Sequence, residues 1–277
     1  MFFASRLFLF FQLVLLMFNK KYYYLFKIQY LGYRFHGWQK QPKLKTVQLM
    51  IERTLKFILE KQSFRILAAG RTDAMVSANE AAFELFLKDD PIDNFDEFLK
   101  LFNHNLPQDI RALSMEEVDE KFNIIQSSKT KEYLYLFTEG QKNHPFCAPM
   151  ITTILDSLDI KLMQQGATLF QGKHNFKTYC YKPSEHGVFI REMDCCELIE
   201  NKMFTANFFP EKSYILRIRG KGFGRNQIRL MMGALIKLGR GDITLDDIRE
   251  SLLPESTTII EYIAPASGLI LNKIEFE

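Results

Sequence analysis

Residues 46–74, TVQLMIERTLKFILEKQSFRILAAGRTDA, hold a helix, a strand and a polar turn in direct succession. Val47, Ile51, Leu55, Ile58 and Leu59 recur at helical spacing, which draws one apolar stripe along residues 46–60. Thr46 stands where a side-chain oxygen can cap the first turn. Residues 64–69, FRILAA, read as a short strand that runs into Gly70-Arg71-Thr72-Asp73. On the N-terminal side, residues 26–31 (FKIQYL) alternate apolar and polar as a strand does. On the C-terminal side, residues 81–87 (AAFELFL) read as another strand. After Pro91, Ile92, Phe95, Phe98, Leu99 and Phe102 mark a second helix, which Asn105-Leu106-Pro107 ends. Residues 109–115 then offer an extended segment. The order is β-α-β-β-α-β, a ferredoxin-like unit.

The remainder repeats this order. Residues 130–138 read as a strand, and residues 158–170 as a helix with Ser157 as its cap. Residues 187–199 and 213–219 read as strands. Residues 223–239 read as a helix ended by Gly239. Residues 245–253 form a short helix before Pro254, and residues 269–276 close with a strand. The expected class is therefore α+β, with two ferredoxin-like (RRM-like) halves sharing a central antiparallel sheet. Their bounds are 22–121 and 122–277, behind an N-terminal extension of residues 1–21.

Composition limits the alternatives. The chain has 277 residues, 47% apolar and 25% charged, an ordinary globular balance. Its four cysteines are too few for a disulfide scaffold, and they form no C-x-x-C. A reduced, intracellular protein is the default. There is no Walker A lysine loop and no H-E-x-x-H. The net charge is +3 but unevenly placed. Residues 19–71 carry twelve Lys/Arg against two acids, and residues 212–241 carry eight Lys/Arg and no acid. Residues 84–121 reverse the sign, with eleven acids and four bases. Two basic blocks converging in the fold would suit a polyanion; solvated faces are the plainer alternative. Met1–Phe18 is nearly all apolar. It is short for a membrane span of about 20 residues, and no A-x-A cleavage site follows it. The favoured reading is a start at Met17 or a dispensable extension.

Four segments could carry chemistry. Asp73, in the turn between two strands, can serve as nucleophile or base, or it can cap the turn and pair with Arg71. A nearby arginine would favour its charged form. Residues 220–229 (GKGFGRNQIR) follow a strand and open a helix, where a phosphate could sit. The glycines at 220, 222 and 224 do not meet G-x-G-x-x-G, because Arg225 stands at the last position. Arg225 and Arg229 fall at i,i+4 on one helical face, and Gly233 continues that face with room for something to approach. Tyr133 and Tyr135 share one face of a strand, as core side chains or as a platform for an unpaired base. Residues 33–42 (YRFHGWQKQP) hold the only tryptophan, and either contact RNA or form a packed loop.

Taken together and in order, these strings resemble the tRNA pseudouridine synthase A family. They are Phe35-His36-Gly37-Trp38-Gln39 with Gln41-Pro42, Gly70-Arg71-Thr72-Asp73-Ala74 and Asn105-Leu106-Pro107-Gln108-Asp109-Ile110. Lys131 to Tyr135, Gly172 with His174 and Phe176, and Phe223 with Arg229 and Gly233 follow. Gly239-Arg240-Gly241 and Ala264-Pro265-Ala266-Ser267-Gly268-Leu269 complete the set. The resemblance runs from about Tyr22 to Phe276. It implies a pseudouridine synthase fold, and isomerisation of uridine in the tRNA anticodon arm at positions 38–40 of the tRNA. It also implies a homodimer with a basic cleft, no metal and no organic cofactor, in the cytoplasm, with a membrane anchor only if residues 1–18 are retained as one. By this resemblance Asp73 is the essential aspartate, Tyr133 packs on the target base, Arg229 pairs with Asp73, and Leu269 lines the uracil pocket. Arg71 joins the substrate set. Arg34, His36, Trp38, Lys40, Lys221 and Arg225 are the expected RNA contacts.

Three strings depart from the family pattern. Met75-Val76-Ser77 stands where the family has Gly-Val-His, so position 75 is expected not to need a positive φ. Phe122-Asn123-Ile124-Ile125 lacks the usual arginine, and Arg225-Asn226-Gln227 replaces a stretch that usually carries histidine. A non-catalytic RNA-binding paralogue or one with another RNA substrate is the first alternative; a nucleotide-cofactor enzyme using the 220–224 loop is the second.

Overall fold

The computed structural model describes residues 20–276. The expectations for residues 1–18 lie outside them. Among the described residues, ten strands form one sheet. They are β1 (Lys21–Tyr30), β2 (Phe64–Ala68), β3 (Ser77–Lys88), β4 (Ile110–Glu117), β5 (Ser128–Glu139), β6 (Thr152–Ile154), β7 (Gly172–Asn175), β8 (Ile190–Glu200), β9 (Tyr214–Gly220) and β10 (Leu269–Phe276). The order is β4-β1-β3-β10-β5-β9-β8-β7, with β2 beside β3 and β6 beside β5. The helices are α1 (Val47–Ile58), α2 (Phe95–Asn105), α3 (Ile160–Thr168), α4 (Gln227–Arg240) and α5 (Leu245–Ser251).

The sheet is mixed, which corrects the expectation of an antiparallel one. β10 pairs antiparallel with β5 but parallel with β3, and β6 runs parallel to β5. Alternation along a strand encodes its faces and says nothing of its direction. The pairing of β10 with β3 also joins segments nearly two hundred residues apart, beyond the reach of local signals.

Three apolar clusters hold the elements. Tyr24, Phe26 and Ile28 of β1 meet Phe83 and Leu85 of β3 under α1 and α2. Phe26 stacks on Phe83 with ring centroids 4.8 Å apart, and Phe102 meets its edge. Tyr135, Phe137, Leu216 and Ile218 pack under α3, α4 and α5. Leu134 and Leu136 face the other way with Ile215 and Ile270, covered by residues around Cys147, Ile151, Phe204 and Phe209. Tyr133 packs against both of the first two clusters, so it stands where they meet.

Helix ends show which local signals held. Thr46 caps α1 by accepting from the Leu49 N–H at 3.3 Å. The cap of α3 is Asp159 rather than Ser157; its carboxylate accepts from Leu162 N–H at 2.9 Å. α4 starts at Gln227, not at residue 223, because Asn226 takes a left-handed φ of 56°. It ends at Gly241, φ 80°, rather than at Gly239. Gly239 is still helical, and its missing side chain admits Met163 and Leu158 of the α3 region.

Trp38 is 3% exposed and packs beside Tyr30 and Phe83. As the only tryptophan it reports directly on this cluster. Its fluorescence is expected to be blue-shifted in the native protein and to move red in one cooperative step in denaturant. A water-like emission before unfolding would contradict the packing.

Candidate active site

Asp73 lies in the loop of residues 69–76, between β2 and β3. The loop is held by residues far from it in sequence. Trp38 N–H donates to the Thr72 carbonyl at 3.1 Å, and Met75 N–H donates to the Phe35 carbonyl at 3.0 Å. The Tyr30 and Thr72 hydroxyls share a hydrogen bond of 2.8 Å. Gly37, at φ +83°, lets the two backbones close up: a side chain there would sit 2.7 Å from the Thr72 carbonyl oxygen. The Phe35-His36-Gly37-Trp38 string is thus the scaffold of the loop, a role that sequence reasoning missed. A lone glycine between aromatic residues was the available signal.

Met75 adopts φ +67°. The expectation that this position needs no positive φ is corrected: the turn imposes the left-handed conformation whatever residue occupies it. A non-glycine residue there costs about 1–2 kcal/mol, which the hydrogen bonds of the turn offset.

The opposite wall comes from three other elements. Tyr133 of β5 meets Phe223 edge-on, with centroids 5.1 Å apart. Leu269 opens β10 and pairs with Tyr135. Arg229 stands in the first turns of α4, a helix buried on nearly every side. The segment of residues 262–264 clamps it. Arg229 Nε donates to the Ala264 carbonyl at 2.7 Å, and Ala264 N–H donates back to the Arg229 carbonyl at 3.1 Å. One turn on, Gly233 admits the Tyr262 carbonyl, which any side chain there would overlap. What approaches the face of Arg229 and Gly233 is therefore the chain's own segment.

These walls enclose a cleft of about 420 Å³, large enough for a nucleoside. Arg71, Thr72, Asp73, Val76, Tyr133, Phe223, Ile228 and Leu269 line it, with residues 224–227. Arg229 Nη1 lies 3.9 Å from Asp73 Oδ2; the side chains are 17% and 41% exposed. That is a charge contact and not a hydrogen bond. The guanidinium spends its donors on Ala264 and on Asn226 Oδ1, at 3.3 Å, so it orients toward Asp73 without locking it. Arg71 makes no ion pair with Asp73. Burial lowers the pKa of Arg229, and the Asp73 charge opposes the shift. Burial pushes the Tyr133 phenol up, and the Asp73 charge adds to it. Tyr133 is therefore a neutral donor through the working pH range.

Among the described residues, no group of three metal-binding side chains is assembled, and no helix is long and apolar enough to cross a membrane.

With this geometry in view, the comparisons with known proteins are specific. A family model described as tRNA pseudouridine synthase matches residues 167–277. A protein named tRNA pseudouridine synthase A 2 from Bacillus anthracis is 31% identical over 255 residues, covering 91% of this chain and 99% of that protein. A tRNA pseudouridine synthase A from Listeria monocytogenes is 30% identical over 254 residues, covering 90% and 97%. One from Dictyoglomus thermophilum is 29% identical over 250 residues, covering 90% and 98%. The chain belongs to the tRNA pseudouridine synthase A family.

In this member of that family of isomerases, the expected RNA contacts sort into three groups. Trp38 is withdrawn from them, because its ring is spent in the core and cannot stack on a base. Arg34 and Lys40 are exposed but already paired, with Asp109 at 2.7 Å and Glu52 at 2.6 Å. His36, Lys221 and Arg225 are exposed without a carboxylate partner among the described residues. Arg225 precedes α4 and so does not share a helical face with Arg229; its guanidinium lies 5.2 Å from the Tyr181 ring centroid. The block of residues 212–241 is less basic in effect than its composition: Arg217, Arg219 and Arg240 are each paired with carboxylates.

Replacing Gly233 by Ala should destabilise the protein by about 2–3 kcal/mol, because the Tyr262 carbonyl must move. It should also release Arg229 from Ala264. Denaturant unfolding checks the first effect, and an unchanged midpoint would contradict the contact.

Proposed function

We propose that the protein isomerises uridine to pseudouridine in the anticodon stem-loop of tRNA, at positions 38–40 of the tRNA, with Asp73 as the reacting carboxylate. What supports this is the meeting of Asp73, Tyr133 and Leu269 at one cleft, with Arg229 3.9 Å from Asp73, all from segments distant in sequence. The reaction breaks the bond from C1′ to N1 of uracil, turns the base, and forms the bond from C1′ to C5; C5 gives up its proton and N1 takes one up. No electrons are exchanged, so the cleft needs no redox group. The Asp73 carboxylate acts at the sugar or the base, as nucleophile or as acceptor of a proton. Arg229, 3.9 Å away, faces it with a fixed positive charge. The target base must leave its stack at a cost of a few kcal/mol, and Tyr133 returns about 1–3 kcal/mol by stacking. Leu269, Val76 and Phe223 hold the detached uracil in an apolar wall. Arg71 and Arg225 at the cleft, with His36 and Lys221 outside it, meet the phosphates. We take the active form to be a cytoplasmic homodimer, built from two ferredoxin-like halves at residues 22–121 and 122–277.

Tritium release from tRNA labelled at uridine C5 tests the reaction. Wild type should release tritium, and Asp73→Asn should lose turnover while still binding tRNA. An active Asp73→Asn variant would refute the role of the carboxylate. Tyr133→Phe keeps the ring and loses the hydroxyl. An unchanged rate in it would confine Tyr133 to stacking.

Raising salt several-fold should weaken tRNA binding steeply, as released counterions require. A flat response would mean that the exposed cations do not meet phosphates.

A further inference from the structure

The hydrogen bonds of the loop at 69–76 fall into two sets. Most tie it to the N-terminal strands and the 35–38 string: Ala69 N–H to the Ala82 carbonyl at 3.0 Å, and the bonds of Thr72 and Met75 to Trp38, Tyr30 and Phe35. One crosses to β5. Lys131 Nζ donates to the Ala69 carbonyl at 2.8 Å. Lys131 precedes Tyr133 by two residues, so both side chains leave the same face of β5. That single bond links the base of the Asp73 loop to the strand that carries Tyr133. The other direct tie across the cleft, Arg229 to Asp73, is a charge contact at 3.9 Å.

The surroundings of this ammonium are unusual. Lys131 is largely buried, and burial alone lowers its pKa. It has no carboxylate within 4 Å among the described residues. A buried cation without a counter-charge is costly, and a straight apolar side chain would fill the same space at lower cost. Gly70 completes the seat. Its φ is not positive, so backbone freedom does not explain a glycine there. A side chain at position 70 would sit 3.3 Å from Lys131 Nζ, tighter than an ordinary contact. The glycine leaves the ammonium its line to the carbonyl.

We propose that Lys131 is a positioning residue for the reaction, holding the Asp73 loop in register with Tyr133 through the Ala69 carbonyl, and that Gly70 keeps its seat open. This rests on Asp73 being the reacting carboxylate, so Asp73→Asn is measured alongside. The experiment is steady-state tritium release from C5-labelled tRNA by wild type, Lys131→Met, Lys131→Arg and Gly70→Ala, with a thermal melt of each. Lys131→Met should lose about tenfold to a hundredfold in kcat, the scale of a misplaced reacting group, with KM for tRNA changed by less than about twofold. Lys131→Arg, which can still donate to the carbonyl, should recover most of that loss. Gly70→Ala retains the lysine but crowds it, and should lose several-fold in kcat at a near-native melting temperature. If Lys131→Met does not fold, the Gly70→Ala and Lys131→Arg results decide. A wild-type kcat in Lys131→Met or in Gly70→Ala, a loss confined to KM, or an arginine variant no better than the methionine one would overturn the proposal while Asp73→Asn remains inactive. An active Asp73→Asn variant would instead overturn the reading of the site on which it rests.

Discussion

Ser77 beside Ile270 and Ala78 beside Leu271 are the two ladder positions at which β3 and β10 run parallel, and the cleft depends on them. β3 begins where the Asp73 loop ends, so this register sets the loop beside the start of β10. Leu269 is there, and its antiparallel partner is Tyr135. Tyr133 follows on the same face. One further contact, from Asn79 Nδ2 to Asn272 Oδ1 at 2.8 Å, braces the seam. A slip of one residue would turn Leu269 to the opposite face and separate the loop from Tyr133.

Around that seam, the site is built by close approach of backbones. Gly37 admits the Thr72 carbonyl, and Gly233 admits the Tyr262 carbonyl. Each glycine places a side chain of the candidate site indirectly, Asp73 in one case and Arg229 in the other. Polar groups of the loop are satisfied by distant main chain and by the Tyr30 hydroxyl, as buried polar groups must be. The result is a loop held at a fixed place, with two-fifths of the Asp73 side chain still open to a ligand.

The cleft combines apolar and aromatic walls with one carboxylate and with Arg71 and Arg225, and 3.9 Å from that carboxylate lies the Arg229 guanidinium. Such a lining suits a neutral planar base that is detached and turned. The guanidinium is bound chiefly to backbone and amide oxygens, so its charge acts on Asp73 through space. Exposed cations stand at the cleft and beside it, at Arg225 and Lys221, where a polyanion would meet them. Much of the remaining positive charge is cancelled by local carboxylates. Composition therefore overstates the basic surface, since a count of charges ignores their partners.

Short-range signals were legible where both partners lie within one turn or one strand. The Thr46 cap, the stripe of α1 and the shared face of Tyr133 and Tyr135 follow from periods of 3.6 and 2. The string Gly70-Arg71-Thr72-Asp73 and the position of Arg229 were legible as motifs. The choice between Ser157 and Asp159, and between Gly239 and Gly241, turned on packing that no window of sequence contains. Trp38 was ambiguous because an aromatic ring serves a core and a stacking surface equally well; only the presence of Tyr30 and Phe83 beside it decides. Met75 misled because residue identity is a weak guide to φ once a turn is held from outside. From the sequence alone came the longer elements, their faces and the residues able to do chemistry, while the short strands β6 and β7 carried too few residues to show a period. The tertiary structure alone decided the direction of β10, the burial of Trp38 and the meeting of Asp73, Tyr133 and Arg229, because these depend on contacts between segments whose separation along the chain leaves no local trace.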